Sequence, residues 1–166
     1  MPQINELLPV DADGIAYLSP EWGFGTEKTI TFAGGTTNAW GDDGGTLDGA
    51  AVFTVTGDVE VRVYAVVTTN LVGAATIELG TALSTAGILP QVANATTMDA
   101  HQIWHMTDGT VDSGIEAITV SPKKILSNGQ DMILTVGTTN ITAGVLRFVC
   151  HWYPLSKGAS VTASTN

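Results

Sequence analysis

Between residues 50 and 69 the chain reads AAVFTVTGDVEVRVYAVVTT, and its apolar side chains alternate with polar ones. Ala51, Phe53 and Val55 share one parity. Val59, Val61, Val63 and Ala65 share another, with Glu60, Arg62 and Tyr64 opposite them. A period of two marks half-buried β-strands, so this stretch predicts two strands. Register then selects a hairpin turning through Thr56, Gly57 and Asp58. Val55 faces Val59 and Phe53 faces Val61 in that pairing, and one whole face is apolar. A one-residue slip would mix the faces.

The same signature recurs along the chain. Residues 27–33 (EKTITFA), 74–80 (AATIELG), 114–121, 132–136 and 145–153 (VLRFVCHWY) read as strands. In the last of these Leu146, Phe148, Cys150 and Trp152 point one way, and Arg147, His151 and Tyr153 the other. Residues 70–73 read as a turn, and HQIWHM at 101–106 as a short strand or one turn of helix. Residues 81–99 hold a strand around Ile88, Leu89 and Val92, which Pro90 confines to a sheet edge. Asn128-Gly129 is the strongest short hairpin signal. Eight or nine short strands without a long helix predict an all-β fold, an antiparallel sandwich of jelly-roll type.

At either end the pattern stops. Residues 1–26 contain Pro2, Pro9 and Pro20 and do not alternate, yet they carry Leu7, Leu8, Val10, Ile15, Tyr17, Leu18, Trp22 and Phe24. A disordered tail would not carry so many large apolar groups, so this segment reads as an extended arm that packs on something. The sandwich is expected over 27–154, with a small, polar and mobile tail at 155–166. The Gly- and Asp-rich loop at 34–49, with Trp40 near its middle, is long enough to be functional or interfacial. Leu7, Leu8, Val10, Tyr17, Leu18, Trp22, Phe24 and Trp40 are therefore the candidate interface residues.

Composition narrows the function classes. Of 166 residues, 13% are charged and 44% hydrophobic, so the surface must be built largely from hydroxyls, amides and backbone, which suits packing into an assembly. Sixteen acidic residues against six basic ones give a net charge of −10, and of the basic residues only Lys123 and Lys124 adjoin. Binding to nucleic acid or to an anionic membrane is not expected. One cysteine, Cys150, excludes an internal disulfide. The N-terminus has no signal-peptide pattern, and no apolar run would span a bilayer.

No constellation of catalytic residues emerges. His101 and His105 would share a helix face and suit a metal, but on a strand they stand roughly 13 Å apart, too far for one ion. Asp42, Asp43 and Asp48 lack the spacing of a calcium loop, and Asp and Gly are ordinary turn residues. There is no Gly-x-Ser-x-Gly, phosphate loop or dinucleotide fingerprint. Trp22, Trp40 and Trp104 are candidates for a sugar-stacking face, though tryptophans in such a sandwich more often serve core and interface. No enzyme, cofactor or metal is expected.

The stretches AVVTTNLVGAATIELGTALSTAGILPQ, MDAHQIWH and ILSNGQDMILTVGTTNITAGVLRFVCHWYPLS resemble small β-rich proteins encoded among the structural genes of tailed bacteriophages, over residues 50–158. The resemblance implies a non-enzymatic virion protein, made in the host bacterial cytoplasm and placed on the capsid exterior. It would be a head decoration (cement) protein held to the major capsid protein by its N-terminal arm, as a homo-oligomer with a trimer favoured. A tail, baseplate or head-fibre adhesion module that binds host glycan is the alternative.

Overall fold

The computed structural model describes residues 23–36, 38–106, 111–112 and 122–166. In them the alternation becomes burial. Val59, Val61, Val63, Ala65 and Val67 are buried, while Glu60, Arg62, Tyr64 and Val66 between them are half-buried. Eleven strands follow: β1 (Phe24–Thr31), β2 (Ala50–Thr56), β3 (Val59–Val72), β4 (Thr76–Thr81), β5 (Ser84–Val92), β6 (Ile103–Trp104), β7 (Val111–Asp112), β8 (Lys124–Leu126), β9 (Met132–Gly137), β10 (Ala143–Pro154) and β11 (Ser160–Ala163). They form two antiparallel sheets packed as a sandwich. The first sheet has the order β1-β10-β3-β6-β7, with β8 also beside β3; the second has the order β11-β2-β9-β4-β5.

The chain changes sheet at most of its connections: β1 to β2, β2 to β3, β3 to β4, β5 to β6, β8 to β9, β9 to β10 and β10 to β11. Two hairpin expectations are overturned for this reason. Val55 does not pair with Val59: it pairs with Val161 of β11, and Val59 pairs with Leu126 and Pro154. Gly57, at φ +67°, and Asp58 carry the chain around a corner into the other sheet. Asn128-Gly129 likewise joins β8 of the first sheet to β9 of the second. The apolar rows are core in either arrangement, because a period of two says which face is buried and not which strand lies beside it. Phe53 and Val61 are both buried, from opposite layers.

Three boundaries and one register also differ. β1 starts at Phe24, inside the expected arm, and Gly23 precedes it at φ +60°. β3 continues through residues 70–72, where a turn was expected. The C-terminal segment is no loose tail: Val161 of β11 is buried and pairs with β2. In β2 the pairing register shifts between Ala51 and Phe53, so Val52 and Phe53 are both buried, a bulge that simple alternation does not anticipate. β5, with Pro90, lies at the edge of its sheet as expected. The strand expected at 114–121 lies outside the described residues.

Trp104 anchors the middle of the core. It is fully buried, sits edge-on to Phe148 with centroids 6.2 Å apart, and its indole N–H donates to the Pro90 carbonyl at 3.0 Å. β8 and β6 pair with separate lengths of β3, and between them the Val63 N–H donates instead to the Met106 sulfur at 3.2 Å. The two sheets are clasped along one side. Thr26 Oγ1 donates to the Val161 carbonyl at 2.9 Å, and Lys28 Nζ donates to Ser164 O at 2.9 Å and to Asn166 O at 2.7 Å.

Candidate interaction surfaces

The described connections between the long strands gather at two ends of the sandwich. At one end, here the loop end, lie the segments 33–49, 73–75, 93–102 and 138–142. At the other, the corner end, lie residues 57–58, 82–83, 127–131 and 155–159, and the chain passes from Gly23 into β1 there.

The loop end is sewn down by backbone. Phe32 N donates to Gly144 O, Ala33 N to Trp40 O, Gly34 N to Ile141 O, and Ile141 N to Gly41 O, all within 2.9 Å. Its carboxylates serve the same purpose. Asp48 accepts from Val136 N at 2.9 Å and from Gly44 N at 3.1 Å, and Asp42 accepts from Gly35 N. Asn140 Oδ1 accepts from Asp43 N at 3.0 Å. Asp42 and Asp48 thus cap backbone N–H groups, which is why a loop of this length needs them. Among the described residues no three His, Cys, Asp or Glu side chains gather as metal ligands.

Three short connections interlock at the corner end. Gly129 N donates to Gly57 O at 3.1 Å, Asn128 N to Asp58 Oδ1 at 2.8 Å, Asp58 N to Ser156 Oγ at 2.9 Å, and Leu155 N to Asp58 O at 2.8 Å. Among the described residues, four of the five large exposed apolar side chains belong to this end: Leu83 (81% exposed), Ile125 (69%), Leu155 (50%) and Tyr153 (47%). Tyr153 and Ile125 are the cross-strand neighbours of Glu60 on either side, so they share the outer face of the first sheet. Lys123 Nζ lies 2.6 Å from Glu60 Oε1, and Lys124 and Lys157 are exposed nearby in sequence.

Only two of the residues expected at an interface fall among those described, and both belong to the body. Trp40 is buried, bridged to Phe32 and part of the core, because the loop that carries it folds back on Ile141. Phe24 stacks on Trp152 with centroids 4.5 Å apart. Leu7, Leu8, Val10, Tyr17, Leu18 and Trp22 lie outside the described residues. A sugar-stacking face of Trp22, Trp40 and Trp104 is not formed, since Trp40 and Trp104 are both buried. The sequence reading passed over Ile125, Tyr153 and Leu155. The one signal that points to Tyr153 is its parity with Arg147 and His151 in the last long strand.

The histidines and the cysteine are spread apart in role. His101 is exposed in a turn at φ +74°, whereas His105 is buried. Burial, and then the Arg62 charge, lower the pKa of His151 against an opposing effect of Glu27; its ring lies 6.1 Å from that of Tyr64. Burial pushes the Cys150 thiol up to about 12, which makes it an inert core group at neutral pH. No described helix is long and apolar enough to cross a membrane. No protein-family model, curated protein or solved structure matches this chain.

Proposed function

We propose that the protein is a non-enzymatic structural component of a tailed-phage virion, a head decoration protein on the capsid exterior. Its 1–22 segment binds the major capsid protein, and its body self-associates, with a trimer favoured. One observation carries the reading: the described strands, from Phe24 on, form two sheets around one continuous core. Leu7, Leu8, Val10, Ile15, Tyr17, Leu18 and Trp22 precede the first described strand. Each such group is worth roughly 1.5–3 kcal/mol when buried, so half of them suffice for tight attachment after ordering costs are subtracted. Repetition over a symmetric lattice multiplies the effect.

The strand order supports the same reading. The orders β1-β10-β3-β6 and β2-β9-β4-β5, linked by repeated changes of sheet, support a jelly-roll reading of the sandwich, an architecture common among viral capsid domains. The net charge of −10 suits a surface turned away from packaged DNA. The glycan-binding alternative loses two of its three tryptophans to the core.

The test is co-sedimentation with phage heads that lack the protein, using the full chain and a chain starting at Gly23. The full chain should pellet with heads. The shortened chain should keep its β-sheet circular dichroism and cooperative melt and stay in the supernatant. Full-affinity binding by the shortened chain would refute the role of the segment, and no binding by either would refute the function.

A further inference from the structure

Residues 1–22 join the body at a marked place. Phe24 pairs with Trp152, so Gly23 stands one step back, beside Tyr153. A Cβ on Gly23 would overlap the Trp152 carbonyl oxygen and lie 3.5 Å from the Tyr153 ring. Tyr153 pairs with Glu60, and Glu60 with Ile125. Gly23, Tyr153, Glu60 and Ile125 thus form one row across four neighbouring chain segments, roughly 14 Å long at the usual strand spacing. Leu155 lies two residues beyond Tyr153, and its N–H donates to Asp58 O at 2.8 Å. The N-terminal segment therefore meets the body beside the exposed Tyr153, Ile125 and Leu155. Among the described residues Val72 is the one large exposed apolar group at the loop end.

From this we infer that Ile125, Tyr153 and Leu155 are the body's own contact with the major capsid protein, so that the body stands corner end down and its loop end faces outward. The inference rests on the function proposed above, in which the 1–22 segment binds that partner. Trp22, Leu18 and Tyr17 stand within six residues of Gly23, at most about 21 Å of chain. A partner that holds these groups is within reach of the patch. Size points the same way. Three such side chains expose on the order of a few hundred Å², against roughly 800 Å² per partner in a stable interface. The patch alone is too small to hold a second copy. Beside a bound segment it needs no greater area, because the tether makes its contact an intramolecular step. Tyr153 brings apolar area and a hydroxyl together, the combination favoured at protein interfaces.

Thiol labelling of the full chain with a maleimide, free and bound to phage heads that lack the protein, tests it. Two variants each carry one reactive thiol: Ile125→Cys in the patch and Val72→Cys at the loop end. Both positions are exposed, and thermal melts check that the fold is kept. Cys150 does not compete, because it is buried and its thiol is pushed up to about 12. The two free variants should label at similar rates. On heads the Ile125→Cys thiol should slow by about tenfold or more, while the Val72→Cys thiol keeps its rate. Loss of head binding by Ile125→Cys with an unchanged melt also supports the contact. Unslowed labelling of Ile125→Cys on heads overturns the patch as the contact and leaves attachment by the segment standing. Slowing of Val72→Cys on heads overturns the orientation. Free Ile125→Cys that labels more slowly than free Val72→Cys overturns the inference too: relief on dilution makes a second copy the occupant, and no relief makes it another part of the same chain. Failure of the native chain to pellet with heads overturns both the contact and the function on which it rests.

Discussion

The two ends of this sandwich solve the same problem, turning a strand back, by opposite means. The corner end uses connections of a few residues and lets the turns bond to one another. The loop end uses long segments, fixes them with Asp and Asn side chains, and holds three of the four described non-glycine residues at positive φ: Asn38, His101 and Thr138. Thr138, at φ +70°, is β-branched and is held there against its preference. The contrast teaches that both ends depend on contacts between segments distant in sequence: short turns bond to one another at the corner end, Asp58 to Ser156 across 98 positions, and long segments are tied down at the loop end, Asp43 to Asn140 across 97. It also separates surfaces: among the described residues, exposed apolar groups gather where the turns are short, and the long loops carry Asp and no Lys or Arg.

Substitutions can break or sharpen that contrast. Phe53→Ala, in the core that both ends share, sets the scale at about 3–5 kcal/mol of lost stability in a denaturant titration. Gly41→Ala should come next at the loop end. Gly41 has φ +104°, and a Cβ there would overlap the Ile141 carbonyl oxygen, so both strain and a backbone clash arise, costing about 2–3 kcal/mol. Gly129→Ala at the corner end meets only Val55 O at 3.1 Å and should cost about 1–2 kcal/mol, mainly for its φ of +67°. Equal losses at Gly41 and Gly129 would erase the difference between the ends.

Smaller changes probe the carboxylates. Asp48→Ala leaves Val136 N and Gly44 N without their acceptor and should cost about 1–3 kcal/mol, more than Asp58→Ala, which removes the single acceptor of the Asn128 N–H. The smallest effect is that of His151. Its pKa is lowered in the fold, so the neutral ring is the stabilised form. Its contribution is complete above the unfolded value of 6.5 and is lost as pH falls through the lower folded value. A small drop in Tm below pH 6.5 that His151→Gln abolishes is the expected result; a rise in Tm there would give the shift the wrong sign.

What could be read from the sequence follows from the same physics. The buried parity of β3, β9 and β10 was legible because alternation is a local property of the chain. The edge position of β5 was legible from Pro90. Strand partners were not: Val55 and Val59 are two buried positions either side of a Gly-Asp turn, and a hairpin and a sheet-crossing corner bury them alike. β11 was missed because its alternation, Ala159, Val161 and Ala163 against Ser160 and Thr162, is short and carried by small side chains around the single larger apolar group Val161. Trp40 looked like a surface group because its burial depends on Gly41 meeting Ile141, which no local pattern encodes. The patch of Ile125, Tyr153 and Leu155 was missed because it is assembled across β3 from two distant segments.

That the chain crosses between sheets at the Gly57-Asp58 corner is the claim on which both ends depend. Nuclear Overhauser contacts between backbone protons test it most directly. Cross-strand contacts of Val55 with Val161, and of Val61 with Trp152 and Lys124, are the predicted result. Direct backbone contacts between Val55 and Val59 and between Phe53 and Val61 would restore the hairpin and contradict the two-sheet arrangement described for these strands.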